Sequence, residues 1–113
     1  MIKWAKATKT DLRLFESISI LFTNHSYLLD FIFDPDAAKL KFNPEVILRA
    51  SVDLSSGEDL LIRIALDLWS GSGEAKIWEL IEYLDDQNFD QVLKALSCLK
   101  PKHTHGWQGP VMR

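Results

Sequence analysis

The sequence lacks the features that stabilise small secreted proteins or anchor a chain in a membrane. Its 113 residues include a single cysteine, Cys98, so no internal disulfide can form. No stretch approaches the roughly 18 uninterrupted apolar residues that a membrane-spanning helix needs. The opening residues, MIKWAKATKTD, carry lysines but neither the apolar segment nor the small-residue cleavage site of a secretory signal. These absences predict a cytoplasmic protein that makes no membrane contact.

Glycine and proline are also sparse, at five and four residues, and the sequence shows neither a repeat nor a low-complexity run. Hydrophobic residues make up 47% of the chain and charged residues 26%, as in an ordinary globular domain. A chain of this length removes roughly two-thirds of its unfolded surface from water when it folds, which suffices for one core. The sequence therefore predicts a single domain over residues 1–113, with an ordered body from about residue 10 to residue 99.

Positive charge is scarce in the middle of the chain. Residues 1–9 and 100–113 each hold three cations and no acid, whereas residues 10–99 hold seven cations and 16 acids, a net charge of −9. Such a body repels a phosphate backbone, so we expect no binding to duplex DNA at physiological salt. The two basic ends leave a nucleic-acid accessory role as the third functional hypothesis.

Apolar residues at helical spacing dominate the first part of the ordered body. Residues 10–23 predict a helix with Thr10 as its N-cap. Residues 27–33 predict a short helix that stops before the next proline. The alternative for residues 27–42 is a small hairpin around the DPDA turn, which would make the protein α+β.

The strongest helix signals lie in the centre of the chain. Asn43 followed by proline predicts the start of a helix of about two turns. Ser55, with Glu58 three residues later, forms a capping box before a long apolar run, and Gly71 suits its left-handed end. This helix is apolar over most of its circumference, so it is predicted to be central, with one polar stripe reaching solvent. The stripe consists of Asp59, Arg63 and Asp67.

The stretch WSGSGEAKIW, residues 69–78, raises the question of a phosphate-binding loop. Such a loop ends in Gly-Lys-Ser/Thr, but here Lys76 follows an alanine, and the preceding segment has helical instead of strand spacing. The stretch is therefore predicted to join two helices, with Gly71 ending the first and Ser72 capping the second. The second helix, residues 73–84, is predicted to turn its apolar stripe to the core: Ile77, Trp78, Leu80, Ile81 and Leu84.

Motifs for metal binding and catalysis are incomplete. The segment DDQNFDQVLKALS begins like an EF-hand loop but lacks glycine at the sixth position and glutamate at the twelfth. Cys98, His103 and His105 offer three zinc ligands, whereas structural zinc sites use four. No G-x-S-x-G motif marks a nucleophile. We therefore expect no catalytic residue, no metal and no cofactor.

Together the signals predict an all-α fold, a small bundle of about five helices around the helix that follows Ser55. The last two helices are predicted to form an antiparallel hairpin. The tryptophans at positions 69 and 78 are predicted to lie in the core. The positions predicted to be buried most securely are Leu61, Ile64, Ala65, Leu68, Ile81, Leu93 and Leu96.

The failure of each catalytic motif favours a non-enzymatic protein-interaction or regulatory module. The alternative is a small enzyme or ligand-binding protein whose site is assembled by the fold. Between residues 74 and 90 six acids face a single lysine, which predicts a docking face for a protein partner or for a second copy of the chain. The candidate interaction residues are Glu79, Glu82, Tyr83, Asp85, Asp86, Asp90 and, as aromatic anchors in the flanking segments, Trp4 and Trp107.

Overall fold

The structure, a computed structural model, describes Trp4 and residues 6–100. These residues form an all-helical fold, as predicted, with 66% of them in helices. The helices are α1 (Lys9–Leu21), α2 (Tyr27–Ile32), α3 (Pro44–Ser51), α4 (Ser56–Ser70), α5 (Ile77–Tyr83) and α6 (Asp86–Leu99). The described part of the chain thus has six helices where about five were expected. None of them is both long and apolar enough to cross a lipid bilayer.

Helix α4 is central, as its sequence predicts, because it contacts α1, α3 and α5. The most extensive helix pair is α1 with α6. Their polar contacts show that the two helices run antiparallel: Arg13 donates to the carbonyl of Leu99 at 2.9 Å, and Ser17 to that of Ala95 at 2.7 Å. The buried apolar side chains are Ile18, Leu21, Phe22, Leu28, Ile32, Phe33, Ile47, Leu60, Leu61, Ile62, Ile64, Ala65, Leu66, Val92 and Ala95.

The first helix begins earlier than predicted. Thr8, instead of Thr10, is its N-cap, and its hydroxyl accepts from the backbone N–H of Asp11 at 3.0 Å. The Asp11 carboxylate accepts from the backbone N–H of Thr8 in return, which completes a capping box. The sequence pattern T-x-x-D carries this signal, since an acid three residues after the threonine is what a reciprocal cap requires.

Residues 27–42 combine the two predicted alternatives. The favoured helix forms over Tyr27–Ile32, and Phe33 then pairs with Leu40 in one isolated antiparallel bridge across the DPDA turn. The turn is fixed by the Asp34 carboxylate, which accepts from two backbone N–H groups, and these hydrogen bonds lower the pKa of Asp34. One bridge does not make a strand, so the fold class stays all-α.

The central helix boundaries match their local signals. Asn43 caps α3 with Pro44 at its first position, and Ser55 and Glu58 form the capping box of α4. Gly71 ends α4 in the left-handed conformation, at φ 70°. Each signal acts within about four residues, so the sequence alone was enough to predict it.

The predicted core is correct for α4 and only partly correct for the two helices after it, where Leu80, Leu84 and Val92 do face the core. Leu61, Ile64 and Ala65 are buried, and Leu68 is partly buried. Three predicted core residues are exposed instead: Ile81, Leu93 and Leu96. The prediction of an α5–α6 hairpin is also wrong, because α5 packs on α4 and α6 packs on α1. The α6 residues that face α1 are Val92 and Ala95, on the neighbouring flank of that helix.

Candidate interaction face on helix α5

The loop that joins α4 to α5 is organised around a carboxylate. Asp67 in the last turns of α4 accepts the backbone N–H of Gly73 at 2.8 Å, of Glu74 at 3.0 Å and of Ala75 at 2.9 Å. Successive N–H groups that converge in this way form an anion-binding nest. The anion in this nest is the chain's own Asp67, so the glycine-serine stretch is a joint, as predicted, and its N–H groups are already bonded.

Gly73 is required by the close approach of this loop to α4. A Cβ atom at this position would lie 1.7 Å from the carbonyl oxygen of Arg63, a backbone atom that cannot rotate away. Glu74 follows with a positive φ of 55°, an uncommon conformation for a residue with a side chain. Ser72 was predicted to cap α5, but it does not. Lys76 is the residue at the N-cap.

Arg63 connects α4 to α5. Its Nη1 and Nη2 donate to the two carboxylate oxygens of Glu79 at 3.0 and 2.9 Å, and its Nε donates to Asp59 at 3.3 Å. The two-point bond to Glu79 raises the pKa of Arg63, and the same bond lowers the pKa of Glu79. The Asp59–Arg63–Asp67 stripe was predicted to reach solvent, but its side chains make hydrogen bonds within the protein. It binds α5 and the loop before it.

These polar contacts determine which side of α5 faces the protein. Glu79 and Leu80 point toward α4, and Leu80 and Leu84 pack against the core. Three of the five residues of the predicted apolar stripe are therefore turned outward, and no residue of α5 is fully buried. Ile77, Trp78 and Ile81 are 77%, 57% and 70% exposed. We refer to these three residues as the α5 outer face.

Acidic side chains surround the α5 outer face. Glu74 precedes the helix, Glu82 lies on it, and Asp85 and Asp86 follow it, all exposed. The cation in this segment is Lys76, whereas Glu79 is neutralised by Arg63. An apolar patch with an acidic rim is the result.

A pocket of about 410 Å³ lies beside this face, between α3 and α5. Trp78 and Val52 form its apolar walls. The charged groups that line it include Arg63, Asp59 and Glu79, and Arg63 donates hydrogen bonds to both carboxylates. The hydrogen bonds from Arg63 lower the pKa of Glu79, so they favour the ionised form of this carboxylate.

Most of the predicted site residues on α5 and α6 lie on the surface, and Glu79 is the exception among them. Glu82, Tyr83, Asp85, Asp86 and Asp90 are exposed on α5, α6 or the link between them. Asp85 also caps α6 through the backbone N–H of Asn88 at 2.8 Å, and Asp90 pairs with Lys94 at 3.2 Å. Glu79 is turned inward to Arg63, which corrects its predicted place on the solvent face.

Trp4 packs on the body of the protein. Its ring lies 4.5 Å from Phe15, 5.4 Å from Phe33 and 5.7 Å from Trp69, measured between ring centroids. Its indole N–H donates to the carbonyl of Asp34 at 2.8 Å. The ring is thus packed against the body of the protein and remains partly exposed. Trp107 lies outside the described residues.

Sequence reasoning missed the α5 outer face because it assigned these residues to the core. Trp69 does pack against the core, as predicted, but Trp78 does not. The pairing of Arg63 with Glu79, 16 residues apart, decides the orientation of α5, and the sequence gives no local sign of it. The spacing of Asp67 to the glycines was the available hint, since an acid before a glycine-rich loop can accept its N–H groups.

Metal ligands do not cluster in the part of the chain that the structure describes. No group of three His, Cys, Asp or Glu side chains there could hold a metal ion. Cys98 donates to Glu16 at 3.6 Å across the α1–α6 pair, and Asn88 of the incomplete EF-hand pattern lies 3.4 Å from His25. His103 and His105 lie outside the described residues.

Comparison of the chain with protein-family models, with curated proteins and with solved structures gives no match. The functional proposal therefore depends on the geometry of the chain, in which a short helix is bound through Glu79 and Leu80 and presents Ile77, Trp78 and Ile81 outward.

Proposed function

We propose that the protein is a non-enzymatic interaction module of the cytoplasm, and that the α5 outer face binds a segment of a partner protein that carries apolar and basic side chains. The observation behind the proposal is the orientation of α5, which leaves Ile77, Trp78 and Ile81 exposed. The cytoplasmic assignment rests on the sparse use of cysteine.

The energetics of the α5 outer face support a docking role. Burying a large apolar side chain contributes roughly 1.5–3 kcal/mol, so three adjacent ones can supply much of the stability of a complex. Tryptophan is enriched among the residues that dominate binding energy at interfaces. Contiguous exposed apolar residues with a polar rim are typical of interaction sites.

The charge around the face supports a basic partner over a second copy. Glu74, Glu82, Asp85 and Asp86 carry like charges, and a symmetric dimer through α5 would bring the acids of two copies together. A segment with lysine or arginine beside its apolar residues would instead pair with them. The same acids repel nucleic-acid phosphates.

The alternative, an enzyme with a site assembled by the fold, has less support. A catalytic pocket needs polar groups that can reach a substrate. In the pocket beside α5, Arg63 donates two hydrogen bonds to Glu79. The backbone N–H of Gly73, which also lines the pocket, already donates to Asp67.

Affinity capture from the native cell, followed by binding assays with the purified partner, tests the proposal. The matched variants are Ile77→Ser with Ile81→Ser on the face and Leu12→Ser on α1, where Leu12 is also exposed. We expect the face variant to lose the partner by at least about tenfold in affinity, corresponding to about 1.4 kcal/mol, and the α1 variant to retain it. Circular dichroism of each variant confirms that it folds.

Charge reversal separates a basic partner from an apolar one. Glu82→Lys with Asp86→Lys should slow association and weaken its dependence on salt, because rim charges act mainly on the association rate. Equal affinity of all variants for the partner would exclude the α5 outer face. Loss of the partner with Leu12→Ser alone would move the interface to α1.

A further inference from the structure

Helix α6 presents an exposed apolar flank in the part of the chain that the structure describes. Phe89, Leu93 and Leu96 lie at positions i, i+4 and i+7, so they share one flank of the helix. Leu93 is 51% exposed and Leu96 43%, and Phe89 is partly buried. The described residues therefore leave about half of each leucine uncovered. We refer to Phe89, Leu93 and Leu96 as the α6 stripe.

The neighbouring flank of α6 holds the helix on the body of the protein. Val92 and Ala95 on that flank are buried, and the carbonyl of Ala95 accepts from Ser17 of α1. The contact between α1 and α6 is the most extensive helix pair among the described residues. Because this contact uses Val92 and Ala95, the α6 stripe remains available to a second surface.

The charged side chains beside the α6 stripe are divided between the two halves of the helix. Asp86 and Asp90 lie in the first half, whereas Lys94 lies in the second half and Lys100 at the C-cap, and all four are exposed. Leu93 is seven residues from Asp86 and seven from Lys100. Seven residues make nearly two helical turns, so both charges lie almost in line with Leu93 along the helix, each about 10 Å from it.

This arrangement is self-complementary when a second copy of α6 runs antiparallel to the first. A two-fold axis near Leu93 brings the two Leu93 side chains together and places Asp86 of each copy against Lys100 of the other. The same axis brings Asp90 of each copy near Lys94 of the other. A parallel copy would instead place Asp86 against Asp86 and Lys100 against Lys100, which is unfavourable. The charges of α6 thus favour a second copy of the chain in one direction.

We propose that the protein forms a dimer in which α6 packs antiparallel to α6 of a second copy and the two α6 stripes cover each other. The contact uses few apolar side chains of each copy, so the dimer is weak and transient, unlike a permanent one with a large interface. It lies on α6, whereas the proposed partner binds the α5 outer face.

Sedimentation equilibrium of the full chain, at concentrations up to about 1 mM, measures the dimer. We expect Leu93→Ser to raise the dissociation constant at least about tenfold, because a two-fold axis applies the substitution twice. Leu12→Ser is the matched control, since Leu12 on α1 has the same exposed fraction of 51%, and it should leave the constant unchanged. Circular dichroism confirms that each variant folds.

Charge reversal tests the antiparallel direction. Asp86→Lys and Lys100→Glu should each raise the dissociation constant roughly threefold to tenfold, because each creates two pairs of like charges. The two substitutions in one chain should restore the dimer, since the pairs form again with their signs exchanged. In a parallel dimer, neither the single variants nor the double variant would differ from the wild type, because every residue would face its own copy.

The proposal is wrong if the full chain remains monomeric up to about 1 mM. It is also wrong if Leu93→Ser dimerises as well as the wild type, or if the double charge variant is as weak as the single ones. Loss of the dimer with Ile77→Ser and Ile81→Ser alone would move the contact to the α5 outer face. Partner capture by Leu93→Ser is measured separately, so the two proposals fail independently.

Discussion

Helices α4 and α5 are both rich in apolar residues, yet they use them in opposite ways. Helix α4 buries six residues, from Leu60 to Leu66, whereas α5 buries none. Helix α4 is held by the apolar core around it. Helix α5 is held by Arg63, by the loop bound to Asp67 and by two partly buried leucines. The pattern of apolar residues thus predicts the face of a helix but not the direction in which that face points.

Substitutions in the buried helix α4 should destabilise the protein most. Ile62→Ala in α4 removes methyl and methylene groups from a fully buried site and should lower the free energy of unfolding by about 2–5 kcal/mol. Urea denaturation monitored by circular dichroism measures it. A loss below about 0.5 kcal/mol would mean that α4 is not enclosed.

The next largest loss of stability is expected from Asp67, whose carboxylate binds the backbone of residues 73–75. In Asp67→Asn the side-chain oxygen can still accept from Gly73 and Glu74, but the amide NH₂ cannot accept from Ala75. We expect a loss of about 1.5–3 kcal/mol, the usual range for hydrogen bonds to a charged group. Hydrogen exchange should accelerate most at the amides of residues 73–75. Asp53→Asn, on an exposed side chain, is the control and should change neither quantity.

The Arg63–Glu79 pair has a pH dependence that Glu79→Gln should remove. The pKa of Glu79 is lowered in the folded protein below its ordinary 4.5 by the hydrogen bonds from Arg63, so its contribution is present above that value. It is lost as pH falls from about 4.5 through the folded-state pKa. We expect the variant to lose about 1–2 kcal/mol at pH 7 and to differ less from the wild type as the pH falls below 4.

Equal pH profiles for the two proteins would show that Glu79 does not bind Arg63. Glu82→Gln, a substitution on the exposed side of the same helix, provides the matched control, and its profile should follow that of the wild type.

The smallest effect is expected on the outward side of α5. Ile81→Ala is the same substitution as Ile62→Ala, but at an exposed site, so the free energy of unfolding should change by less than about 0.5 kcal/mol. Alanine also has the higher helix propensity, which offsets part of any lost contact with Leu84 and Phe89. A loss comparable to that of Ile62→Ala would place Ile81 in a core.

The sequence was sufficient where the deciding contact is local. The caps at Asn43, Ser55 and Gly71 and the choice of α4 as the central helix follow from signals within one or two turns. It was insufficient where the contact is distant along the chain. Trp4 reaches the Asp34 carbonyl 30 residues away, and no pattern in the sequence marks that pair.

The orientation of α5 at the candidate site also depends on a contact between residues that are distant along the chain. Ile77 and Ile81, at i and i+4, have the spacing of a core-facing stripe. Arg63 and Asp67 were interpreted as solvated because charged residues on a helix commonly are. Only the fold brings Glu79 opposite Arg63, and with Glu79 turned inward Ile77 and Ile81 face outward.

The exposure of isoleucine methyl groups to a soluble paramagnetic chelate distinguishes a buried helix from an outward-facing one, since α4 and α5 each contain two isoleucines. With methyl-labelled protein at a concentration where it is monomeric, relaxation of the Ile77 and Ile81 methyl groups should increase several-fold more than that of Ile62 and Ile64. That result would establish that α5 presents its apolar side to solvent. Equal protection of all four methyl groups would show that α5 buries Ile77 and Ile81 as α4 buries its own isoleucines.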